Sequence, residues 1–489
     1  TTAVAGTPKR GGNLRVALAG NGTAETLNPA LGVVPIDAAR AYSHFEGLVW
    51  VDQQNKLQPR LATEWTPNAD ATSYQIKLRE GVTWHDGSPF GADDVIYTFQ
   101  QMADPAHYGH SAVVGIDVKG LEKVSDLELT VPLLTPNGRL LDLFAYFNML
   151  IVKSGSKDFA KPIGTGPFKL ESFTAGQRSK SVRHDGYWQQ GKPYLDSLEI
   201  ISIDDPNARV NALRSGQIDA MDGFPAPDAK ALSADDPQVA LFRAASPTFY
   251  CFYLDTSKPP FDDVRVRQAL MAAIDRQALV DGALAGFGSV GNDIAGKGLE
   301  LFADSLPAKT QDIAKAKALL AAAGKTSVDV TLSTSPVFPG FVESATLLAQ
   351  QVKAAGFNVK IEQVQPSQYL VPPPGGVYLT LQMGQDKWPM TSLQSYYTQA
   401  LVKDPIYAES HWNDPASDAL LAKAIAATDP AAQADLWKQV QQIQYDRGGN
   451  IIWAQPDNLD ATSRKVAGFT PGGPFEFGGF SFQDFYLSS

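Results

Sequence analysis

Hydrophobic and polar residues alternate in short runs along the first half of the chain. Leu14, Val16 and Leu18 are separated by Arg15 and Ala17, and Tyr74, Ile76 and Leu78 by Gln75 and Lys77. That period of two predicts strands. Gly81 stands where the second would turn back, and Leu127, Leu129 and Val131 predict another strand ended by Pro132. Asp93 or Asp94 is placed to cap a helix carrying Val95, Ile96 and Phe99.

The rhythm changes in the second half. Val266, Leu270, Ala273 and Ile274 recur at helical spacing behind Asp262 and Asp263. Asp312 starts a further helix, and Gly324 sits where a left-handed C-cap belongs. Val328, Val330 and Leu332 then alternate as a strand. A helix from about Phe341 stops at Gly356, and Phe357, Val359 and Ile361 alternate again. Helix, glycine, strand in repetition predicts a parallel α/β layer. A strand at residues 377–381, behind Pro372-Pro373-Pro374-Gly375-Gly376, is expected to join it, and a last helix spans about 431–445. No repeat of roughly 20–50 residues marks a solenoid or propeller.

The chain has 489 residues, which suggests about three domains. Hydrophobic residues at 44% and charged residues at 19% describe a globular mixture rather than a disordered chain. A net charge of −11 argues against general affinity for nucleic acid or an anionic membrane. The single cysteine, Cys251, excludes an internal disulfide and any multi-cysteine zinc or iron–sulfur site. No apolar run reaches the roughly 18 residues of a membrane helix. The nearest, residues 140–152, contains Asp142 and Asn148. Residues 1–12 are small, polar and turn-rich, as expected of a flexible leader in a mature form trimmed of its secretion signal.

Motifs with catalytic or cofactor associations lack their context. Gly286-Phe287-Gly288-Ser289-Val290-Gly291 matches a dinucleotide fingerprint in letters only, because a helix and not a strand precedes it. His107-Tyr108-Gly109-His110 could space two metal ligands, yet it lies in loop, and Tyr108 is the more interesting ligand candidate. Gly164-Thr165-Gly166-Pro167-Phe168 lacks the Lys-Ser/Thr of a phosphate loop and reads as a structural turn. There is no Gly-x-Ser-x-Gly elbow and no His-Glu-x-x-His. Asp93-Asp94, Asp204-Asp205 and Asp262-Asp263 are adjacent in sequence, as caps and turns are, whereas a glycosidase pair meets across a cleft. No catalytic residue, metal site or cofactor is expected.

Several blocks together resemble the solute-binding protein family 5 of ABC importers, which includes oligopeptide-, dipeptide- and nickel-binding proteins. They are Gly47-Leu48-Val49 with Asp52, Pro59-Arg60-Leu61-Ala62 with Trp65, residues 78–87 (LREGVTWHDG), and Ala92-Asp93-Asp94-Val95. Pro162 to Phe168, Ser215-Gly216-Gln217-Ile218-Asp219, and the run from Pro260 to Leu270 with Ile274-Asp275-Arg276 follow in the family's order. His85 within these blocks reads as a hydrogen-bonded structural residue, and Arg267 and Arg276 as partners in ion pairs between elements.

The resemblance implies a periplasmic-binding-protein type II-like α/β fold, with two lobes, a hinge and an extra family-specific domain. Domain I would comprise 1–43, 166–250 and 461–489, domain II 44–165 and domain III 251–460. The aromatic stretch from Thr248 to Tyr253 would cross between lobes. The implied function is extracytoplasmic capture of a small peptide or peptide-like ligand and its delivery to the permease of an ABC importer. The protein would act as a monomer without nucleic-acid partners, periplasmic or anchored at the cell surface as a lipoprotein. An oligosaccharide, opine-like conjugate or metal chelate is the alternative cargo. A solute-sensing receptor subunit and a hydrolase of similar size are the alternative roles.

In oligopeptide-binding relatives an aspartate in a domain-III loop pairs with the peptide's α-amine, and Asp386 falls on it, with Thr391-Ser392-Leu393 matching the continuation. Lys387 beside the acid and the early Pro389 depart from the pattern, so a solvent-facing Asp386–Lys387 pair is the other reading. The candidate ligand-binding set is Asp386, Trp388, Gln385, Gly384, Val33, Tyr108, Tyr250 and Trp412.

Overall fold

The computed structural model describes residues 7–371, 373–403 and 405–488, so the first half of the leader, residues 1–6, lies outside the described residues. The chain divides into two units: one runs to Ala244 and resumes at Asn458, and the other is Ala245–Asp457.

The first unit is built on a seven-stranded sheet. Its central strand, Asn13–Leu18, pairs in parallel with Ser197–Ser202 on one side and Ala220–Met221 on the other. Leu14, Val16 and Leu18 are fully buried on one face, and Ala17 on the other. Helix Pro35–His44 sets Ile36, Ala38 and Ala39 into the same core. A separate four-stranded antiparallel sheet contains Ser73–Leu78, where Tyr74, Ile76 and Leu78 are inward and Gln75 and Lys77 outward, as their alternation predicts. Helix Ala92–Met102 starts two residues earlier than a capping Asp93 would allow. Gly91 is the N-cap, and Asp94 reaches back to accept from the Gly91 N–H at 3.0 Å.

The turn at Gly164 and Gly166 is dictated by close approach. A Cβ on Gly164 would lie 1.7 Å from the carbonyl oxygen of His44. Two histidines lock it: His85 Nδ1 accepts from Gly164 N at 3.1 Å, while His85 Nε2 and His184 Nδ1 both donate to Gly166 O at 3.1 Å.

The second unit carries a six-stranded sheet in the order Gly288–Val290, Asn450–Pro456, Phe249–Leu254, Met383–Trp388, Val328–Thr334, Phe357–Gln363. The last two are parallel neighbours joined through helix Phe341–Val352, the crossover unit that the glycine-punctuated pattern predicts. Asp263 and Asp312 cap their helices through the N–H groups of Arg265 and Lys315, and Gly324 takes the left-handed conformation at φ 72°.

Four expectations are corrected here. The strand expected at 377–381 is instead Met383–Trp388; its four buried leading residues, Met383 to Asp386, include a glycine and two polar side chains, so no alternation marks it. The stretch from Thr248 to Tyr253 is not a crossing between lobes. Phe249–Leu254 is an interior strand of the second unit's sheet, buried at every position. The run Gly286 to Gly291 is not all glycine-rich loop: it contains the edge strand Gly288–Val290. Arg267 serves backbone carbonyls of Phe261, Arg447 and Gly448 instead of a carboxylate, whereas Arg276 makes an ion pair with Asp293 at 2.6 Å.

Candidate functional site

Strand Met383–Trp388 runs antiparallel to Phe249–Leu254, with Asp386 opposite Cys251 and Gly384 opposite Tyr253. Facing residues and those two apart share one face of a sheet. Asp386, Gly384, Cys251 and Tyr253 therefore lie side by side. The missing side chain at Gly384 matters: a Cβ there would sit 2.3 Å from both Cζ and Oη of Tyr253, so the phenol lies across the bare backbone.

Asp386 is 6% exposed and does not pair with Lys387 through the side chain's charge. Its Oδ1 accepts from the backbone N–H of Lys387 at 2.6 Å, and the Lys387 ammonium sits 5.4 Å from the centre of the Phe338 ring. The side-chain neighbour of Asp386 is another acid. Glu409, 2% exposed, shares the Tyr378 hydroxyl with it. Tyr378 Oη donates to Glu409 Oε1 at 2.6 Å and approaches Asp386 Oδ2 at 3.3 Å. Trp388 Nε1 lies 3.0 and 3.2 Å from the two Glu409 oxygens. Among the described residues no lysine or arginine forms an ion pair with either carboxyl.

Burial pushes Asp386 above the usual carboxylate range, and burial together with the Asp386 charge pushes Glu409 well above it. Two carboxyls in one dry site cannot both ionise cheaply, which favours a single proton held by the pair. Burial likewise holds Cys251, Tyr253 and Tyr378 in their neutral forms. The arrangement is a buried pair of acids joined by one tyrosine hydroxyl.

The sequence profile of the bacterial extracellular solute-binding proteins, family 5, matches residues 56–404. The chain belongs to that family. The glutathione-binding protein GsiB of Escherichia coli (strain K12) is 27% identical over 479 residues, covering 94% of this chain and 92% of its own. Among solved structures, AgaA in complex with agropinic acid from A. tumefacien R10 is 25% identical with a TM-score of 0.84, covering 98% of this chain and 99% of its own. DppA from Helicobacter pylori in complex with the peptide STSA is 22% identical with a TM-score of 0.82, covering 99% of both chains. The fold is that of the family-5 periplasmic binding proteins.

In this family-5 chain the other expected site residues fall into two groups. Gln385 is fully buried, its amide donating to Phe341 O and Ser344 Oγ at 3.0 and 2.8 Å. Tyr250 packs edge-on against Phe341 and Trp453, and Trp412 belongs to the core around Tyr396 and Trp437. Gln385, Tyr250 and Trp412 are thus placed as packing residues, and Gly384 as the floor beneath Tyr253. Val33 and Tyr108 are about half exposed, at 49% and 51%, on adjoining loops of the first unit: Tyr108 N donates to Ala30 O. His107 and His110 each bond a carbonyl at the end of the preceding helix, those of Gln101 and Met102. Among the described residues no cluster of three or more His, Cys, Asp or Glu could hold a metal ion, and no helix is long and apolar enough to cross a membrane.

Glu409 and Tyr378 are the residues that sequence reasoning missed. Glu409 lies 21 positions beyond Trp388, outside any helix or strand, and no spacing links it to Asp386.

Proposed function

We propose that this protein captures a small peptide, or another solute carrying a cationic amine, through Asp386, and delivers it intact to the permease of an ABC importer. The observation that carries the reading is a buried acid pair, Asp386 and Glu409, with no ion-pair partner among the described residues and a half-buried indole, Trp388, beside it. A buried charge without a partner is costly, and a ligand ammonium would supply one. Trp388 offers a flat face against which a peptide or ring could lie. The reading includes a periplasmic or lipid-anchored location, a monomeric state, no chemistry on the cargo, and the three-domain division with 44–165 as the extra domain.

An opine-like cargo is the second reading, favoured by the similarity to AgaA, whose ligand is agropinic acid. Mass spectrometry of material released by denaturing the purified protein tests both. An intact amine-bearing peptide supports the first and an opine conjugate the second. Turnover of a bound peptide, abolished by a substitution at Asp386, would overturn the binding-only role.

A further inference from the structure

A cavity within the first unit lies among the C-terminal end of helix Pro35–His44, the strand Val49–Val51 and the chain from Phe475 to Gln483. Its walls are aromatic: Tyr42, Phe45, Trp50, Phe475 and Phe480. The last stretch of chain reaches it by a strained path. Phe477, Gly478, Gly479 and Phe480 all have positive φ, between 52° and 80°. For the two phenylalanines that conformation is costly and persists only where the surroundings impose it. The turn sets Gly479, Phe480 and Gln483 against the cavity.

Polar groups converge there with bonding capacity to spare. Gln483 is 4% exposed, and its amide has no hydrogen-bond partner among the described residues. A buried amide left unpaired calls for an explanation. The Tyr42 hydroxyl is likewise without a partner. Arg60 commits Nε to Glu46 and Nη2 to Tyr187, which leaves the two N–H groups of Nη1 unused. Glu46 also borders the cavity but is fully occupied. Its four acceptor sites take Arg60 Nε, Tyr187 Oη, Thr165 Oγ1 and Trp188 Nε1, at 2.7, 2.9, 3.1 and 2.8 Å.

Charge and size narrow the ligand. Arg79 lies 4.2 Å over the Trp188 ring and has no ion-pair partner among the described residues, so two guanidiniums attend the single carboxylate of Glu46. That surplus favours an anion. The cavity has about 30 Å³ of water-accessible space. One water needs roughly 10–15 Å³ on that measure, so two or three atoms of oxygen size fit. A carboxylate group has two oxygens, with about four acceptor sites between them.

We propose that this cavity is a binding site for a small carboxylate, of formate or acetate size. Arg60 Nη1, the Gln483 amide and the Tyr42 hydroxyl donate to its oxygens, and the aromatic rings enclose its carbon end. The site draws on the first unit alone and does not depend on the amine-capture reading.

Saturation-transfer NMR on the whole chain, at constant ionic strength in chloride, tests this with acetate as the probe. Transfer from the protein to the acetate methyl should be saturable. Acetamide has the same shape without the charge and should bind about tenfold more weakly or worse. Trimethylacetate is too bulky and should not compete. Gln483→Leu and Tyr42→Phe each remove one bond to the anion and should each weaken acetate by about tenfold. Tyr42→Phe keeps the ring and its packing, so its loss of affinity reads the hydroxyl and not the fold. Absence of a saturable acetate signal would mean that the space holds ordered water only, and overturns the proposal. Acetamide bound as tightly as acetate, or acetate affinity unchanged in both variants, does the same. So does trimethylacetate bound as tightly as acetate, which would place the anion on the open surface.

Discussion

Each unit buries a glutamate that receives a tyrosine hydroxyl and a tryptophan indole. In the first unit, Glu46 accepts from Tyr187 Oη at 2.9 Å and Trp188 Nε1 at 2.8 Å. In the second, Glu409 accepts from Tyr378 Oη at 2.6 Å and Trp388 Nε1 at 3.0 Å. The third partner differs. Glu46 has Arg60, whose Nε lies 2.7 Å away and whose guanidinium also sits over Trp50 and Trp188. Glu409 has another acid, Asp386. The same two donors thus produce a finished ion pair in one unit and, in the other, an acid pair that lacks its cation. The first arrangement has a structural role. The second would be completed in the same way by the ligand cation proposed above.

The sharpest way to break this contrast is to remove the cation from the finished site. Arg60→Met leaves Glu46 buried without a counter-ion, and breaking such a pair costs about 3–5 kcal/mol. Urea unfolding at neutral pH should show that loss. Glu409→Gln removes no cation and should leave the unfolding midpoint nearly unchanged. Equal effects from both variants would erase the distinction.

Asp386→Asn probes the unfinished site through its ligand. Removing one partner of a desolvated charge pair costs about 2–5 kcal/mol, or roughly 30- to several-thousand-fold in affinity. The loss should fade for an N-acetylated peptide, whose amine is already neutral. Calorimetry of Lys387→Gln against the same peptides is the control. If that change is the damaging one and Asp386→Asn is silent, the ligand carries a carboxylate to this strand instead.

The two units should also respond to pH with opposite signs. Burial holds His44 and His85 down at about 3, far below the usual 6.5, and lowers His184. Depressed histidines favour the fold above pH 6.5 and lose that contribution as pH falls towards 3. At pH 5 the loss is about 2 kcal/mol for each of His44 and His85, taking about 1.4 kcal/mol per pH unit below 6.5. Asp386 and Glu409 are raised instead. Their contribution is complete at low pH and is lost as pH rises from the ordinary carboxylate range through their folded values. Urea midpoints across pH should therefore flatten on the acid side in His44→Phe and on the alkaline side in Glu409→Gln. A single variant that flattens both sides would show that the two networks are not separate.

The sequence makes the fold legible where the signal is local. Leu14, Val16 and Leu18 mark a strand because neighbours two apart share a face, and Asp312 marks a helix start because its side chain reaches an N–H three residues on. Interior strands escape that logic: Met383–Trp388 is enclosed by partners distant in sequence, so its polar Gln385 and Asp386 read as loop. The candidate site is half legible for the same reason. Asp386 and Trp388 share a strand and a resemblance, while Glu409 and Tyr378 meet them only through the tertiary fold. Two of the loop candidates, Val33 and Tyr108, are exposed as loop residues should be. Tyr250 and Trp412 are large aromatics, for which burial in a core competes with any ligand role.

The smallest expected effect is also the most discriminating. Tyr187 donates to an ion-paired carboxylate and accepts from Arg60 Nη2 at 2.8 Å, so Tyr187→Phe removes a hydrogen bond to a charged group and leaves a guanidinium N–H short of a partner. Such bonds contribute about 1.5–3 kcal/mol. Tyr378 donates chiefly to Glu409, which burial and the Asp386 charge push well above the usual carboxylate range, towards its neutral form. A bond to a neutral acceptor contributes about 0.5–1.5 kcal/mol, so Tyr378→Phe should be the milder change by roughly 1 kcal/mol in urea unfolding. Raising the pH should reverse that ranking. Once Glu409 ionises, the Tyr378 hydroxyl faces two charged carboxylates, and its removal should become the more damaging of the two. In a Glu409→Gln background the acceptor stays neutral at every pH, and the cost of Tyr378→Phe should stay flat. A cost that climbs with pH in that background would place the titrating group elsewhere than on Glu409.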